Sequence, residues 1–392
     1  MQKIDLFHRA DLAEKIAQRV LNAAPGSAAS SGLFLSAPRR TGKSTFIRED
    51  LRPQLQESGA VVIYADLWSD TKMDPGKVIV SAVQTEISKH EPVIKKLAAK
   101  IGVEKLNVGG AAFSVEKIGL NQGASLSDAL AELSDEIKRP IVLIIDEAQH
   151  AITTSDGSDA LFALKAARDE INSSAHYGLH IIATGSNQAK LGMLRNSKDQ
   201  AFFGAHLLSF PNLGPGYVEW FCKSIEFGDK LNLGVVAGLF EKSSFRPEIL
   251  SAAAEVVKDC FDLDPKDTEA VFSSAVMGQI ASANKDLVRV IRSLTSIQFA
   301  VLKVMVDSGE DYAPFEARTL EKYREVVDSL GGGEETRVDA PGVQQALLAL
   351  QEKTLVWKAS RGVYAIEDAS IAEVYQSDEL AASISKAKPA SS

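Results

Sequence analysis

The feature that constrains this chain most is a short apolar run broken by a glycine–lysine–serine turn. Leu33-Phe34-Leu35-Ser36-Ala37 reads as a buried strand, Pro38-Arg39-Arg40-Thr41-Gly42 as a loop, and Lys43-Ser44-Thr45 as the opening of a helix. Residues 37–44 follow the phosphate-loop pattern G-x-x-x-x-G-K-[ST] except at the first position, where Ala37 replaces glycine. Holding a phosphate there needs inward-turned backbone N–H groups and a helix N-terminus facing the anion. Gly42 would let the backbone approach, Lys43 would reach the β- and γ-phosphates, and the Ser44 hydroxyl would ligate Mg²⁺. Such a tripeptide also arises by chance. The strand before it and the helix after it give it weight.

A second apolar run, 141–145, ends in Asp146-Glu147. Open α/β sheets bind ligands beyond the carboxyl ends of their strands. There Asp146 would orient Mg²⁺ through its water shell, and Glu147 would polarise the attacking water. A plain buried strand whose polar end reaches solvent would read the same way in isolation. A third run, Ile181-Ile182-Ala183-Thr184-Gly185-Ser186-Asn187, ends in small hydroxyl and amide side chains. It would place Ser186 or Asn187 between the two earlier strands; an ordinary turn is the alternative.

Further strands are expected at 60–66 and 207–210, and helices at 5–21, 75–89, 126–138 and 159–172. Strands alternating with helices over about 180 residues predict parallel βαβ units with helices on both faces. The stretch from about 91 to 125 reads as an inserted hairpin or loop. After Pro211 only helices are expected, to about 292. From 295 the order is helix (298–307), helix (319–330), a Gly331-Gly332-Gly333 break, helix (341–352) and a hairpin (355–359 with 363–366), a winged-helix pattern. The expected division is an α/β core over 1–211, a helical lid over 212–294, a winged helix over 295–376 and a disordered tail over 377–392.

Composition narrows the function classes. The 392 residues carry 43 Lys and Arg against 52 Asp and Glu, a net charge of −9, so no broad basic face is available for nucleic acid. The cysteines, Cys222 and Cys260, fit a reducing cytosol. No apolar run approaches the roughly 20 residues of a membrane span, and the opening residues do not read as a signal peptide, so a cytoplasmic location is expected. The histidines show no metal-ligand spacing, and Trp68, Trp220 and Trp357 read as packing residues. The third helix of the winged-helix pattern holds no Lys or Arg. Gln344 and Gln345 could read adenine edges, and Lys353, Lys358 and Arg361 could touch phosphates, but a protein-interaction module fits the charge better.

Together these residues resemble the P-loop ATPases of the AAA+/STAND group, most of all the archaeal-type ATPases with a Pro-Arg-Arg phosphate loop. The matching residues are Leu6-Phe7-His8-Arg9 with Asp11-Leu12, Pro38-Arg39-Arg40-Thr41-Gly42-Lys43-Ser44, Asp146-Glu147-Ala148-Gln149, Thr184-Gly185-Ser186, and the tail Gly362-Val363-Tyr364-Ala365-Ile366. The resemblance implies an α/β P-loop NTPase fold with parallel sheet order 5-1-4-3-2, and ATP with Mg²⁺ as ligands. It gives Lys43, Ser44, Asp146 and Glu147 their Walker roles, with Ser44 and Asp146 on the metal. Pro38, Arg39, Arg40, Thr41, Gly42 and Thr45 would line the phosphates, and Arg9 would border the adenine pocket. Thr184 or Ser186 would be the sensor on the third strand. Gln149 would couple the second strand to what lies outside the site.

Two departures stand out. One is Ala37; the other is Phe203-Gly204-Ala205-His206, where relatives often carry Gly-Arg. Arg246, just before Pro247, would then sense the γ-phosphate from a helix start, with Arg195 as an alternative supplied in trans. The leading expectation is an ATP-hydrolysing molecular switch that acts on a protein partner or on copies of itself. The alternatives are a DNA-associated ATPase of the initiator or transposition-helper kind, and a nucleotide-locked scaffold without turnover.

Overall fold

Apolar runs without alternation bury both faces, which a parallel sheet covered by helices allows. The structure, a computed structural model, contains five parallel strands, β1 (Leu33–Ser36), β2 (Val61–Asp66), β3 (Ile141–Asp146), β4 (Leu179–Gly185) and β5 (His206–Ser209), of which β1, β3 and β4 are buried along almost their whole length. All pairings are parallel, in the order β2-β3-β4-β1-β5, which is the expected order read from the other edge. Register brings the carboxyl ends level, with Asp66 opposite Asp146 and Ser36 opposite Gly185.

The structure describes residues 6–376 apart from 25, 71, 101–117, 120–122, 174, 332–337, 361 and 368. These fall into two units. One joins His8–Ser36 to Ser44–Phe210; the other takes in Leu6, Phe7, the loop Ala37–Lys43 and the described residues from Pro211 onward.

In the first unit the helices are α1 (Ala10–Leu21), α2 (Lys43–Phe46), α3 (Arg52–Glu57), α4 (Pro75–Ile87), α5 (Glu91–Lys100), α6 (Leu126–Ile137), α7 (Ser155–Ser173) and α8 (Gln188–Gly192). A π-helical turn, Ile47–Leu51, makes α2 and α3 continuous. Ile141, Leu143 and Ile145 share one core with Ile79 and Val83 of α4, Leu130 of α6 and Leu164 of α7. Val142 and Ile144 point to the opposite face and are equally buried. The sheet is therefore covered on both sides.

Helix α5 corrects part of the irregular stretch expected from about 91. Val93, Leu97 and Ala98 recur at helical spacing and are buried, and Lys95 bridges Glu91 at 2.6 Å one turn away. The expected hairpin around 113–116 lies outside the described residues.

The second unit holds α9 (Pro215–Ser224), α10 (Leu233–Lys242), α11 (Pro247–Lys258) and α12 (Thr268–Arg292), built around Tyr217, Phe221, Phe240 and Phe272. Helices α13 (Ser296–Ser308), α14 (Ala317–Ser329) and α15 (Ala340–Glu352) follow. Next come the antiparallel strands β6 (Val356–Ser360) and β7 (Val363–Ile366), and then α16 (Ala369–Gln376), a helix that the sequence reading did not include. Their core centres on Tyr323, whose hydroxyl meets that of Tyr312 at 2.6 Å. The expected disordered tail lies outside the described residues. Among the described residues no helix is long and apolar enough to cross a membrane.

Helix α4 starts against the first turn of α7. Asp74 caps it, its carboxylate accepting from the Gly76 N–H at 2.7 Å, with Pro75 as first residue. A Cβ on Gly76 would collide with the Asp156 carbonyl and meet the Gly157 nitrogen at 2.9 Å. Gly76→Ala should therefore cost about 1–3 kcal/mol in urea unfolding, as overpacking against backbone does. An unchanged midpoint would show that the two helix starts do not touch.

Candidate active site

Asp146 ends β3 and is buried. Ser44, in the first turn of α2, donates to its Oδ2 at 3.1 Å, and the Tyr64 hydroxyl of β2 donates to the same oxygen at 3.0 Å. Thr184 of β4 donates to Oδ1, as does the Glu147 N–H at 3.1 Å. One carboxylate thus gathers groups from β2, β3, β4 and the start of α2. Burial pushes the Tyr64 phenol well above its ordinary value, and the Asp146 and Asp66 charges add to the push, so it stays a neutral O–H donor.

Glu147 follows in the left-handed region, φ 53° and ψ 43°, and opens a 3₁₀ turn, Ala148–Thr153. Such a backbone costs a non-glycine residue free energy and is found at sites where geometry is fixed for use. Its Oε2 accepts from Gln149 Nε2 at 2.6 Å and from the Ser186 hydroxyl at 3.1 Å. Asn187 caps α8 by accepting from the Lys190 N–H at 3.1 Å, so the turn after β4 is anchored on both sides of Ser186.

The loop before α2 turns through two left-handed residues, Arg40 (φ 63°) and Gly42 (φ 85°). Turns of this kind point successive N–H groups into one concavity, which suits an anion. The Thr41 hydroxyl donates to the Pro38 carbonyl at 2.8 Å and closes the turn. Ala37 does not take a left-handed backbone and is buried, so alanine is tolerated where the pattern asks for glycine. Lys43 is buried, Ser44 half-buried, and Thr45 exposed.

Ser44 and Asp146 present two oxygen atoms side by side, the donor type a hard divalent cation prefers. Among the described residues no group of three or more His, Cys, Asp or Glu could hold an ion by itself. Mg²⁺ takes one or two protein oxygens and completes its shell with phosphates and water, so the Ser44 and Asp146 pair is of the kind it uses. The residues present fit the metal.

Residues 29–190 match the family described as an AAA domain. The α/β unit is an AAA-type P-loop ATPase domain. The ORC2 protein of Aeropyrum pernix in its ADP form has the same fold, with a TM-score of 0.55 at 13% identity over 97% of this chain and 96% of that one. The same protein with ADPNP and ADP gives 0.51 at 15% identity, over 99% and 96%. A Walker-type ATPase of Pyrococcus abyssi gives 0.48 at 18% identity, over 95% and 99%. No curated protein matches the sequence at a significant level.

The remaining expected residues of the ATPase divide between the two units. Arg9, at the start of α1, sets its guanidinium 4.7 Å from the Phe210 ring centre and 5.9 Å from that of Phe46. Its N–H donates to Asp50 at 3.0 Å, and His8 meets the same carboxylate at 2.6 Å. Burial lowers the Arg9 pKa, with Asp50 acting the other way. Arg195 donates to the Ala205 carbonyl at 2.5 Å and to Asn196 at 3.0 Å, so its guanidinium is engaged within its own loop.

In the second unit Arg246 is the N-cap of α11, ahead of Pro247, and donates to the Ser243 carbonyl at 2.8 Å. Arg40 lies 3.9 Å from Glu248 and Arg39 3.5 Å from Glu367. Burial raises the Glu248 pKa, against the pull of Arg246 and Arg40. One reading needs correction: Trp68 is not packing inside but 44% exposed, edge-on to His150 at 4.7 Å.

The sequence reading missed Tyr64, Asp50 and the grip of Gln149 on Glu147. Tyr64 had a usable signal, since two aligned parallel strands place it two residues from their level carboxyl ends.

Gly185 is where Gln149 lies against β4. A Cβ there would collide with Gln149 Oε1 and meet Leu191 Cγ at 2.9 Å. Gly185→Ala should lower stability by about 1–3 kcal/mol in denaturant melts; wild-type stability would mean that the Gln149 amide does not rest on the strand.

Proposed function

We propose that this ATPase is a nucleotide-driven molecular switch that binds ATP·Mg²⁺ at the carboxyl ends of β1, β3 and β4. The observation that carries the reading is the convergence of Ser44, Tyr64 and Thr184 on Asp146, with Glu147 held alongside by Gln149 and Ser186. The N–H groups of the turn through Arg40 and Gly42 hold the phosphates, and Lys43 balances their charge. Ser44 and Asp146 hold Mg²⁺, which when bound neutralises charge on the β- and γ-phosphate oxygens.

Glu147 takes a proton from water while the water oxygen forms a bond to the γ-phosphorus. The bond to the bridging oxygen breaks, and its electron pair stays on ADP. Arg9, set against the paired rings of Phe46 and Phe210, borders the base. Arg246, at the head of α11, reads the γ-phosphate, and Arg39 and Arg40 tie the phosphate loop to Glu367 and Glu248. The fold-mate from Aeropyrum pernix, described in ADP and ADPNP complexes, supports an adenine nucleotide.

Residues 212–294 serve as the lid and 295–376 as a winged helix that meets a protein partner or a second copy. Helix α15 carries no Lys or Arg, Gln344 is engaged with the Tyr364 hydroxyl at 3.4 Å, and Leu348 is 47% exposed. A helix built this way offers apolar contact and no charge for phosphate.

A phosphate-release assay tests the reading. Glu147→Gln should slow ATP turnover by about a hundredfold or more while ADP still binds, the usual range for losing a positioned base. Lys43→Ala should lose nucleotide binding itself. Equal background release from wild type and Glu147→Gln would leave no catalytic role for the glutamate.

A further inference from the structure

We propose that Gln149 is a positioning residue that orients the carboxylate of Glu147 for accepting a proton from water. The inference rests on reading Glu147 as the water-activating carboxylate. Gln149 is fully buried in the 3₁₀ turn that follows β3, and its Nε2 donates to Glu147 Oε2 at 2.6 Å. Only one orientation of the amide works. The NH₂ must face the carboxylate, because the carbonyl oxygen there would set two acceptors against each other.

That orientation turns Oε1 toward Gly185 of β4, where it is buried with no hydrogen-bond partner among the described residues. An orphaned amide oxygen is a cost that space-filling alone does not require, since methionine would occupy the same volume without it. The absence of a side chain at 185 makes room for the amide. What the arrangement secures is the donor on Glu147.

Ser186 approaches the same Oε2 from the turn after β4, at 3.1 Å. Two donors from two different elements therefore converge on one oxygen of a residue whose backbone is itself fixed in the left-handed region. Loss of Gln149 leaves the carboxylate chemically intact but without one of the donors that orient it, so the defect lies in orientation and appears in kcat.

The test is steady-state ATP hydrolysis by the full chain with Gln149→Met, Ser186→Ala, Glu147→Gln and the Glu147→Gln/Gln149→Met double variant, each checked for melting temperature. Gln149→Met should lower kcat by about tenfold to a hundredfold, the scale of a misplaced catalytic group, with KM for ATP within about twofold and no loss of thermal stability. Ser186→Ala should lower kcat in the same way and keeps the test open if the methionine variant fails to fold. The double variant should be no slower than Glu147→Gln alone, because a residue acting through another adds nothing once that residue is disabled. Wild-type kcat in both single variants, a change confined to KM, or a further loss in the double variant would overturn the proposal. Full activity in Glu147→Gln would instead overturn the underlying reading of Glu147, and the two failures are told apart by that one arm.

Discussion

A carboxylate withdrawn from water has to be met by donors, because an unpaired buried charge costs far more than any single hydrogen bond returns. Asp146 is met from three sides: by Ser44 at the head of α2, by Tyr64 of β2 and by Thr184 of β4. The sheet needs this residue at its carboxyl edge as much as the chemistry does. Moving β2 or β4 by one residue would turn Tyr64 or Thr184 to the other face and strip the carboxylate of a partner. The level register of the strands and the contents of the site are therefore one constraint seen at two scales.

The strands that matter were legible because they are largely apolar runs, and Asp146-Glu147 stood out as the polar end of one of them. The phosphate loop was legible for a similar reason, a backbone signal tied to Gly42 and a helix start. Contacts made across the sheet were harder to see. Tyr64 looks like any strand residue until β2 is placed beside β3, and Asp50 becomes a partner for His8 and Arg9 only once the π-helical turn has set its direction. Helix α5 was hidden because its apolar residues are few and the glycines beyond it drew the reading toward a loop. Trp68 reads as a packing residue in the sequence, yet it follows β2 into an exposed turn, where its backbone N–H is held by Asp66 at 2.9 Å.

Part of the free-energy cost in this structure lies at the candidate site. Glu147 and Arg40 take left-handed backbones, Asp146 is buried, and Gln149 leaves a carbonyl oxygen without a partner among the described residues. Each is unfavourable alone, and the packed core beneath β3 offsets them together. Within the second unit Arg40 and Arg39 of the turn before α2 lie beside Glu248 and Glu367, so the charges of this turn have acidic neighbours.

Titration calorimetry of ATP into wild type and Asp146→Ala, each with Mg²⁺ and with EDTA, bears most directly on this account. Wild type should bind ATP with an affinity that falls by about tenfold or more when Mg²⁺ is removed, whereas Asp146→Ala should bind equally in both buffers. No heat with any purine nucleotide in wild type, or the same Mg²⁺ dependence in the variant, would contradict it.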